Sequence, residues 1–352
     1  MPINVPLLAR ICESPGAPGF EKQIRQLVIA ELKGLADSIN IDNMGNVIAL
    51  KKGRSSKKKT MAAAHMDEIG FIVTHIDDKG FLRFNPIGGF DPKTLTAQRV
   101  LVHGKKDILG VMGSKPVHIM SPEERGKNVA LKDYFVDTGM SKKNVEKLIS
   151  VGDSITRLSE LKELGDCVNA KSLDNRVSVF VLLETLRELK KSKKKPAYDF
   201  YAAFTVQEEV GLRGAHVAAH EVEPDFAFGL DTTIAYDVPG SQPQERCTAL
   251  GEGAAIKLMD SSVICDYRMI AYMKEVAKRN KIKWQTEILA AGGTDTASLQ
   301  RMVPGGSISG AVSIPTRHIH QSIETSHKED IAACIKLLTA CVSELDQGDW
   351  EF

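Results

Sequence analysis

The sequence lacks the features that mark several specialised classes of protein. Its 352 residues include 46 Lys or Arg and 45 Asp or Glu, so the formal net charge is only +1. A dedicated nucleic-acid-binding or membrane-surface protein would usually carry a basic excess, so this balance argues against both classes. No stretch approaches the ~18 apolar residues of a membrane span, and the N-terminus has no basic segment followed by a long apolar one. We therefore expect a cytoplasmic protein that binds neither nucleic acid nor membrane.

Cysteines are few, and they form no CxxC pair of the kind that marks zinc or redox motifs. Isolated thiols in a cytosolic protein are usually buried and reduced. We expect this of all six, which are Cys12, Cys167, Cys247, Cys265, Cys334 and Cys341.

What the sequence does contain is a regular alternation of predicted strands and helices. The alternation covers residues 1–70 and resumes at residue 166, which predicts an α/β fold with a mostly parallel central sheet flanked by helices. Residues 71–165 instead show short β-like runs with frequent turn residues, which indicates a small inserted β-barrel-like domain. The sequence thus predicts one domain in two parts, 1–70 and 166–352, interrupted by a second domain at 71–165.

Hydrophobic periodicity and turn residues define several elements of the α/β part. A solvated basic loop is predicted at Lys51–Lys59, followed by a short buried strand at Thr60–Ala64. Later strands are predicted at Tyr198–Val206 and Ser307–Ile314, and a helix at Arg176–Lys191.

Side chains that can bind metals follow four of the predicted strands, and one more precedes a helix. In α/β folds, ligands gather beyond the carboxyl ends of the strands. An acidic residue before a helix is, on its own, usually an N-cap. Four strand ends that all carry residues able to bind metal are, however, hard to explain by structural roles alone. The candidates are His65, Asp67, Asp174 (before the helix), Glu208, Glu209, Asp231 and His320.

These residue types fit two divalent metal ions. Three carboxylates, from Asp174, Glu209 and Asp231, balance most of the charge of two ions, and two neutral imidazoles complete the set. Zinc or cobalt suits this mixture best, and manganese or iron is possible because hard oxygen ligands are present. Asp174 is the best bridge, since a short side chain at a loop holds a bridge rigidly. Asp67 lies two residues after His65 and can orient its ring.

The two adjacent glutamates need different roles. Neighbouring side chains in an extended segment diverge, so Glu208 and Glu209 are not expected to bind one metal equally. One should bind metal. The other should take the proton of the bridging water, whose pKa the metals lower towards ~7. This division of roles indicates a hydrolase.

Six motifs resemble those of the TET/glutamyl aminopeptidase family of binuclear metallopeptidases, and together they span nearly the whole chain. They are Ser14-Pro-Gly-Ala-Pro-Gly-Phe-Glu21, Ala64-His-Met-Asp-Glu-Ile-Gly-Phe71, Ser172-Leu-Asp-Asn-Arg176, Val206-Gln-Glu-Glu-Val-Gly-Leu-Arg-Gly214, Gly292-Gly-Thr-Asp295 and Ile314-Pro-Thr-Arg317. The resemblance implies that His65 and Asp231 bind one ion. It implies that Glu209 and His320 bind the other, with Asp174 as the bridge.

The resemblance also implies a function. It predicts an aminopeptidase that removes N-terminal residues from peptides through a metal-bound hydroxide, with Glu208 as general base and Asp67 as the residue that orients His65. The inserted β domain corresponds to the dimerisation domain of the family. Members of the family build a tetrahedral dodecamer whose active sites face an internal cavity, which limits substrates to peptides. We expect Gly292–Asp295 to line the substrate cleft.

The chain departs from the family pattern before the last metal ligand. The family usually has Arg-Tyr-x-His at this point, whereas this chain has Arg317-His318-Ile319-His320. We assign the ligand to His320, because Glu324 follows four residues later as in the family. His318 alternates to the same side in an extended segment, so it is the competing ligand.

Two other functions compete with this one. A cellulase-like glycoside hydrolase would use Glu208 and Glu209 as its acid pair. Such a pair must converge across one bond at about 5–9.5 Å, whereas adjacent strand residues diverge. A non-catalytic, metal-stabilised peptide-binding scaffold would have a closed site with four ligands, which leaves Glu208 without a role.

Overall fold

A computed structural model describes residues 2–351. The helices of this part of the chain are α1 Val5–Glu13, α2 Lys22–Leu32, α3 Pro122–Arg125, α4 Lys142–Val145, α5 Leu173–Ser192, α6 Arg213–Val222, α7 Tyr267–Arg279, α8 Thr296–Arg301 and α9 Lys328–Glu344. Helix α7 shows why such segments form. Its apolar residues recur at helical spacing and are buried on one face, and the Asp266 side chain caps its start by accepting a hydrogen bond from the N–H of Arg268.

The strands belong to two separate sheets. In chain order they are β1 Ser38–Ile41, β2 Val47–Lys51, β3 Ser55–His65, β4 Gly70–Ile76, β5 Leu82–Ile87, β6 Arg99–His103, β7 Asp107–Gly113, β8 Phe135–Asp137, β9 Ser154–Arg157, β10 Lys162–Leu164, β11 Cys167–Ala170, β12 Tyr198–Thr205, β13 Phe226–Ile234, β14 Ala254–Met259, β15 Trp284–Ile288, β16 Ile308–Arg317 and β17 Glu324–His327.

The larger sheet has eleven strands in the order β1-β2-β12-β3-β13-β16-β17-β11-β10, with β14 and β15 branching from β16. Its centre is parallel, because β12, β3, β13 and β16 pair in that way. Most pairs towards its margins are antiparallel, such as β1–β2, β16–β17 and β11–β17, whereas β14 and β15 in the branch pair in parallel. The α/β prediction is confirmed, and the sheet as a whole is mixed.

Helices cover both faces of this sheet, and strand β3 shows how the sequence directs its side chains to them. Successive side chains of a strand point to opposite faces. Ala62 and Ala64 pack in the main core with α5 and α9, whereas Met61 and Ala63 pack in a second core with α6 and α8. Small residues on β3 let the helices approach closely, which is why a run of alanines lies at the centre of the molecule.

The smaller sheet is a closed barrel in the order β4-β5-β8-β7-β6-β9. Its pairs are all antiparallel, and its own core includes Phe71, Val100 and Ile155. The prediction of an inserted barrel is confirmed. The chain leaves the large sheet at His65, at the end of the central strand β3, and returns to it at Lys162 in the edge strand β10.

The elements next to the candidate site differ from prediction in several details. Strand β3 begins at Ser55, so the second half of the predicted loop at 51–59 is strand, and the backbone N–H of Lys59 donates to the side chain of Asp225. Strand β12 ends at Thr205, because Gln207 has a left-handed backbone with a φ of 55°. Strand β16 continues past Ile314 to Arg317, where it pairs with β17, a short strand that the sequence pattern did not reveal.

All six cysteines are free, as predicted. Cys12, Cys265, Cys334 and Cys341 are buried, whereas Cys167 and Cys247 are only partly buried, so the expectation of burial was wrong for these two. Within residues 2–351, none of the helices combines the length and apolar character that a membrane crossing requires.

Candidate metal centre

His65 lies at the end of β3, and three carboxylates surround its ring. The His65 Nε2 atom is 3.4 Å from Asp174 Oδ1, 3.7 Å from Glu208 Oε2 and 3.8 Å from Asp231 Oδ1. Asp231 lies in β13, which pairs with β3 in parallel. Asp174 reaches the same place because it and Asn175 depart from helical geometry at the start of α5. Strand order in the sheet thus brings these distant residues together.

His320 forms the other half of the cluster. Its Nε2 atom is 3.3 Å from Asp174 Oδ2 and 3.4 Å from Glu209 Oε2. The two oxygens of Asp174 therefore face two different imidazoles. This is the geometry that a carboxylate bridging two cations requires.

The side chains of Glu208 and Glu209 point to different parts of the cluster, as the sequence predicted, although the segment is a turn rather than extended strand. One set of ligand atoms lying within 4.8 Å of one another comes from His65, Asp174 and Glu209, and a second comes from His65, Glu208 and Asp231. All five predicted ligands and Glu208 line a single cavity of about 580 Å³.

Asp67 is fully buried and contacts two parts of the centre. Its carbonyl oxygen lies 3.1 Å from His65 Nδ1, and its carboxylate Oδ1 lies 3.5 Å from the same atom. A proton on Nδ1 that is donated to this carbonyl leaves Nε2 free to bind a cation. The carboxylate also accepts hydrogen bonds from the backbone N–H groups of Glu208 and Glu209, each at 3.1 Å. That second role was missed from the sequence.

Glu21 is another buried carboxylate that sequence reasoning missed as a functional residue. Its Oε1 atom accepts hydrogen bonds from the N–H of Gln207 at 3.2 Å and from the N–H of Gly19 at 2.7 Å. Together with Asp67, it holds three successive N–H groups of the segment 207–209. The available signal was its place at the end of the motif Ser14–Glu21, for which the sequence suggested no role.

The cluster carries more negative than positive charge. Burial raises the pKa of Glu208 and Asp231 well above the usual carboxyl range, although His65 opposes this shift. Burial acts in the same sense on Asp174, but hydrogen bonds from His320 and His65 outweigh it and hold its pKa below the usual range. For His320, burial lowers the pKa, but its carboxylate partners, Asp174 first, raise it to about 11. Divalent cations would relieve this crowding of carboxylates.

A buried oxygen without a partner also supports the fit of these residues to divalent cations. The Oε1 atom of Glu209 is buried and has no hydrogen-bond partner within the described part of the chain. A buried polar atom without a partner is costly and uncommon. A cation beside Glu209 and His320 would supply the missing partner, and the mixture of imidazole nitrogens and carboxylate oxygens suits a transition metal.

Comparison with known proteins decides the family. A family model described as M42 glutamyl aminopeptidase matches residues 45–337. The chain belongs to this family. It is therefore an aminopeptidase of peptidase family M42, as its motifs implied.

Individual relatives match along nearly their whole length. The chain is 34% identical to a lysyl aminopeptidase of Pyrococcus furiosus, and the match covers 98% of each protein. It superimposes on the TET aminopeptidase of a marine sediment Thaumarchaeota archaeon with a TM-score of 0.94 and 35% identity, covering 97% of this chain and 96% of the other. It also resembles the TET1 peptidase of Pyrococcus horikoshii, with a TM-score of 0.86, 31% identity and coverage of 97% and 99%; that protein can assemble into a tetrahedron or a large octahedral shell.

In this M42 aminopeptidase, the two histidines near the end of β16 occupy different environments. His320 lies beside Asp174 and Glu209, whereas the side chain of His318 is exposed. Both residues have positive φ angles, 60° for His318 and 64° for His320. The segment is therefore not extended, and the alternation that made His318 a competitor does not hold there.

The wall of the cavity beside the cluster includes part of the Gly292–Asp295 motif and two buried charged residues. Gly292, Gly293 and Thr294 line it, as expected for Gly292–Asp295. Lys257 and Asp260 also line it, and neither was recognised from the sequence. The Nζ atom of Lys257 lies 3.1 Å from Asp260 Oδ2 and 2.7 Å from a second carboxylate, that of Glu287.

Proposed function

We propose that this M42 aminopeptidase uses two divalent metal ions to remove N-terminal residues from peptides. In this proposal His65 and Asp231 hold one ion, Glu209 and His320 hold the other, and Asp174 bridges them. The observation that carries the proposal is the placement of the two Asp174 oxygens, which lie 3.4 Å and 3.3 Å from the Nε2 atoms of the two histidines. Zinc or cobalt fits the donor set best, with manganese or iron as further candidates.

Ions bound in this way supply Lewis-acid chemistry, because they polarise the scissile carbonyl and lower the pKa of the attacking water. The chain's own residues supply the rest. Glu208 takes the proton of the water on its carboxylate and passes it to the leaving amine. Asp67 fixes the backbone of both glutamates and the ring of His65, so the base and the ligands keep a constant separation.

The assignment of Glu208 as base has one structural competitor. Its carboxylate lies in the same set of ligand atoms as His65 and Asp231, so Glu208 could instead be a metal ligand. The two alternatives predict different metal contents for a Glu208→Gln variant. If Glu208 is the base, the amide leaves all metal ligands intact. If Glu208 is a ligand, the amide weakens the binding of an ion.

We expect Glu208→Gln to keep both ions and to lower kcat by about 10²–10⁴-fold, the usual loss on removing a general base. Metal content would be measured by mass spectrometry, and turnover with a panel of aminoacyl anilides. Glu209→Gln is the matched control and should lose affinity for one ion. If Glu208→Gln loses an ion as well as activity, Glu208 is a ligand, and if it keeps both ions and turnover, it is not the base.

The reaction itself is tested with chelated enzyme that is restored with Zn²⁺, Co²⁺ or Mn²⁺. We expect cleavage of aminoacyl anilides to return with at least one of these metals. Failure to cleave any anilide, together with cleavage of a cellulose derivative, would instead support the glycoside hydrolase alternative, which gives His65, Asp174, Asp231 and His320 no role. Intact metal binding without any hydrolysis would support the scaffold alternative.

We further propose that the barrel, within a separate domain at 71–165, mediates dimerisation, and that dimers build a tetrahedral dodecamer in the cytoplasm. The assembly of the similar TET1 peptidase of Pyrococcus horikoshii supports this. Active sites that face an internal cavity would then admit peptides and exclude folded proteins. Light scattering after gel filtration should give a mass twelve times that of the 38.5 kDa chain, and a monomer at all concentrations would contradict the proposal.

A further inference from the structure

A buried arginine of the barrel reaches into the metal centre. Arg157 ends strand β9 of the barrel, and only 2% of its surface is exposed. Its guanidinium carbon lies 5.6 Å from the centre of the Phe90 ring, and Phe90 stacks on Phe71 in the barrel core. Arg157 is thus anchored on the barrel side by aromatic packing.

Both outer nitrogens of Arg157 donate hydrogen bonds away from the barrel. One donates to the carbonyl oxygen of His320 at 2.9 Å, and the other donates to the carbonyl oxygen of Lys171 at 3.0 Å. Lys171 lies three residues before Asp174 in the chain. The planar fork of one guanidinium therefore connects the two segments that carry the proposed bridge and the proposed final ligand.

His320 depends on such support because its own backbone is in the left-handed region, with a φ of 64°. Non-glycine residues adopt this conformation rarely, and they keep it only where surrounding contacts hold it. The N–H of His320 donates to Glu324 Oε1 at 2.9 Å, and Glu324 Oε2 accepts from the N–H of Asp174 at 2.8 Å. Glu324 and Arg157 thus hold the polar groups on both sides of His320.

A second residue of the inserted part lies near the ring of His320. Gly89 lines the same cavity, and a Cβ atom added there would lie 3.6 Å from His320 Nδ1. The Nε2 atom of the same ring faces Asp174 and Glu209.

We infer that Arg157 is a positioning residue through which the inserted barrel holds His320 in its metal-binding orientation. The barrel then determines the affinity of the ion held by Glu209 and His320, in addition to any part it plays in assembly. The inference rests on the proposed binuclear site. It assigns to the barrel a larger effect on this ion than on the other, because Arg157 holds the carbonyl of His320 directly and forms no hydrogen bond to His65 or Asp231 among those of the described residues.

The test is a titration of full-length protein, previously freed of metal by chelation, with Co²⁺ alone. Binding is measured by calorimetry and by the visible absorption of bound cobalt. We expect Arg157→Met to weaken the Co²⁺ held by Glu209 and His320 by about 10–100-fold, the range found when support of a metal ligand is removed, and to weaken the other Co²⁺ by less. Arg157→Lys should fall between the two proteins, since an ammonium cannot reproduce the fork. His320→Ala shows what loss of the second site looks like.

The matched control is Arg83→Met. Arg83 is an arginine of the same barrel that also donates to two backbone carbonyls, those of Lys132 and Tyr134, but it makes no contact with His320. It should bind both ions like the unaltered protein, so a general disturbance of the barrel would be recognised by its effect in this variant.

The outcomes separate this inference from the proposed function. If the unaltered protein binds fewer than two ions, the proposed function fails. If the unaltered protein binds two ions and Arg157→Met binds each of them with the same affinity as the unaltered protein, only the role of Arg157 is overturned. Circular dichroism establishes whether each variant folds. Should Arg157→Met not fold, Arg157→Lys decides by the same titration, and an unchanged second affinity in that variant overturns the inference.

Discussion

Asp67 connects two parts of the metal centre through a single residue. Its carbonyl oxygen faces the ring of His65, and its two carboxylate oxygens accept the N–H groups of Glu208 and Glu209. A carboxylate with no proton can accept two hydrogen bonds at once, whereas an amide has only one acceptor oxygen. The two carboxylate oxygens of Asp67 therefore hold the turn that presents both glutamates.

Asp67→Asn should consequently lower kcat/KM by about 10–100-fold, because the new NH₂ group faces a backbone N–H and displaces Glu208 or Glu209. The measurement is steady-state kinetics with aminoacyl anilides on fully metal-loaded protein. Asp330→Asn is a suitable control, since Asp330 is also buried and accepts the backbone N–H groups of Gly251 and Gly253. Equal kinetics for Asp67→Asn and the unaltered protein would show that the carboxylate has no part in positioning the glutamates.

The candidate ligands could be predicted from the sequence because all but Asp174 follow an apolar run typical of a buried strand, and Asp174 precedes an apolar helical run. The residues that hold those ligands could not. Asp67, Glu21 and Arg157 act on backbone N–H or C=O groups of segments far away in the chain. Every residue except proline offers an N–H group and every residue offers a carbonyl, so no side-chain pattern marks the partner.

At the scale of elements, strand β14 places a lysine where lysines are rarely found. Lys257 is fully buried, and it lies between Asp260 and Glu287, which are also buried. The hydroxyl of Thr233, in β13, donates to Glu287 at 2.8 Å. These contacts link β13, β14 and β15 at the wall of the cavity. Among the described residues, Lys257 is the cation that neutralises the two carboxylates.

Lys257→Met should therefore lower the free energy of unfolding by about 3–5 kcal/mol, because it leaves buried carboxylates without a countercharge. Adding Glu287→Gln should recover part of this loss, which a double-mutant cycle in urea would measure. Lys162→Met is the control, since Lys162 forms an exposed pair with Glu160, and exposed pairs contribute little. A loss below about 1 kcal/mol for Lys257→Met would contradict a structural role for the ion group.

Elements long enough to show a clear hydrophobic periodicity were predicted well, whereas short elements were not. The predicted helix at Arg176–Lys191 lies within α5, and the predicted strand at Tyr198–Val206 matches β12 to within one residue. Helix α8 and strand β17 were missed because six and four residues are too few to show a period. The expectation of an extended segment at 318–320 was wrong. Arg157 donates a hydrogen bond to the carbonyl of His320, and Glu324 accepts one from its N–H, and these bonds hold His320 in a left-handed conformation that its sequence does not signal.

At the scale of the whole molecule, metal removal should reduce stability. The proposed ions would lie among four buried or nearly buried carboxylates from different elements, and any ligand that binds only the folded state stabilises it. An ion present at a hundred times its Kd adds about 2.7 kcal/mol. The ligands span the chain from β3 to beyond β16, so this effect should appear in global unfolding.

We accordingly expect chelation to lower the thermal unfolding midpoint and added Co²⁺ to restore it, at constant protein concentration. Differential scanning calorimetry measures both. Asp174→Asn should show a smaller difference between its loaded and chelated forms, since the proposed bridge is weakened. Identical midpoints for loaded and chelated unaltered protein would argue that the cluster binds no stabilising ion.

The scatter of the proposed ligands along the chain has a consequence for biosynthesis. The centre requires residues from His65 to His320, and Glu324 lies later still in the sequence. A nascent chain still on the ribosome therefore lacks a complete set of ligands until nearly all of it has been translated. A truncation before β16 removes the proposed ligand His320, so we expect such a fragment to show no hydrolytic activity.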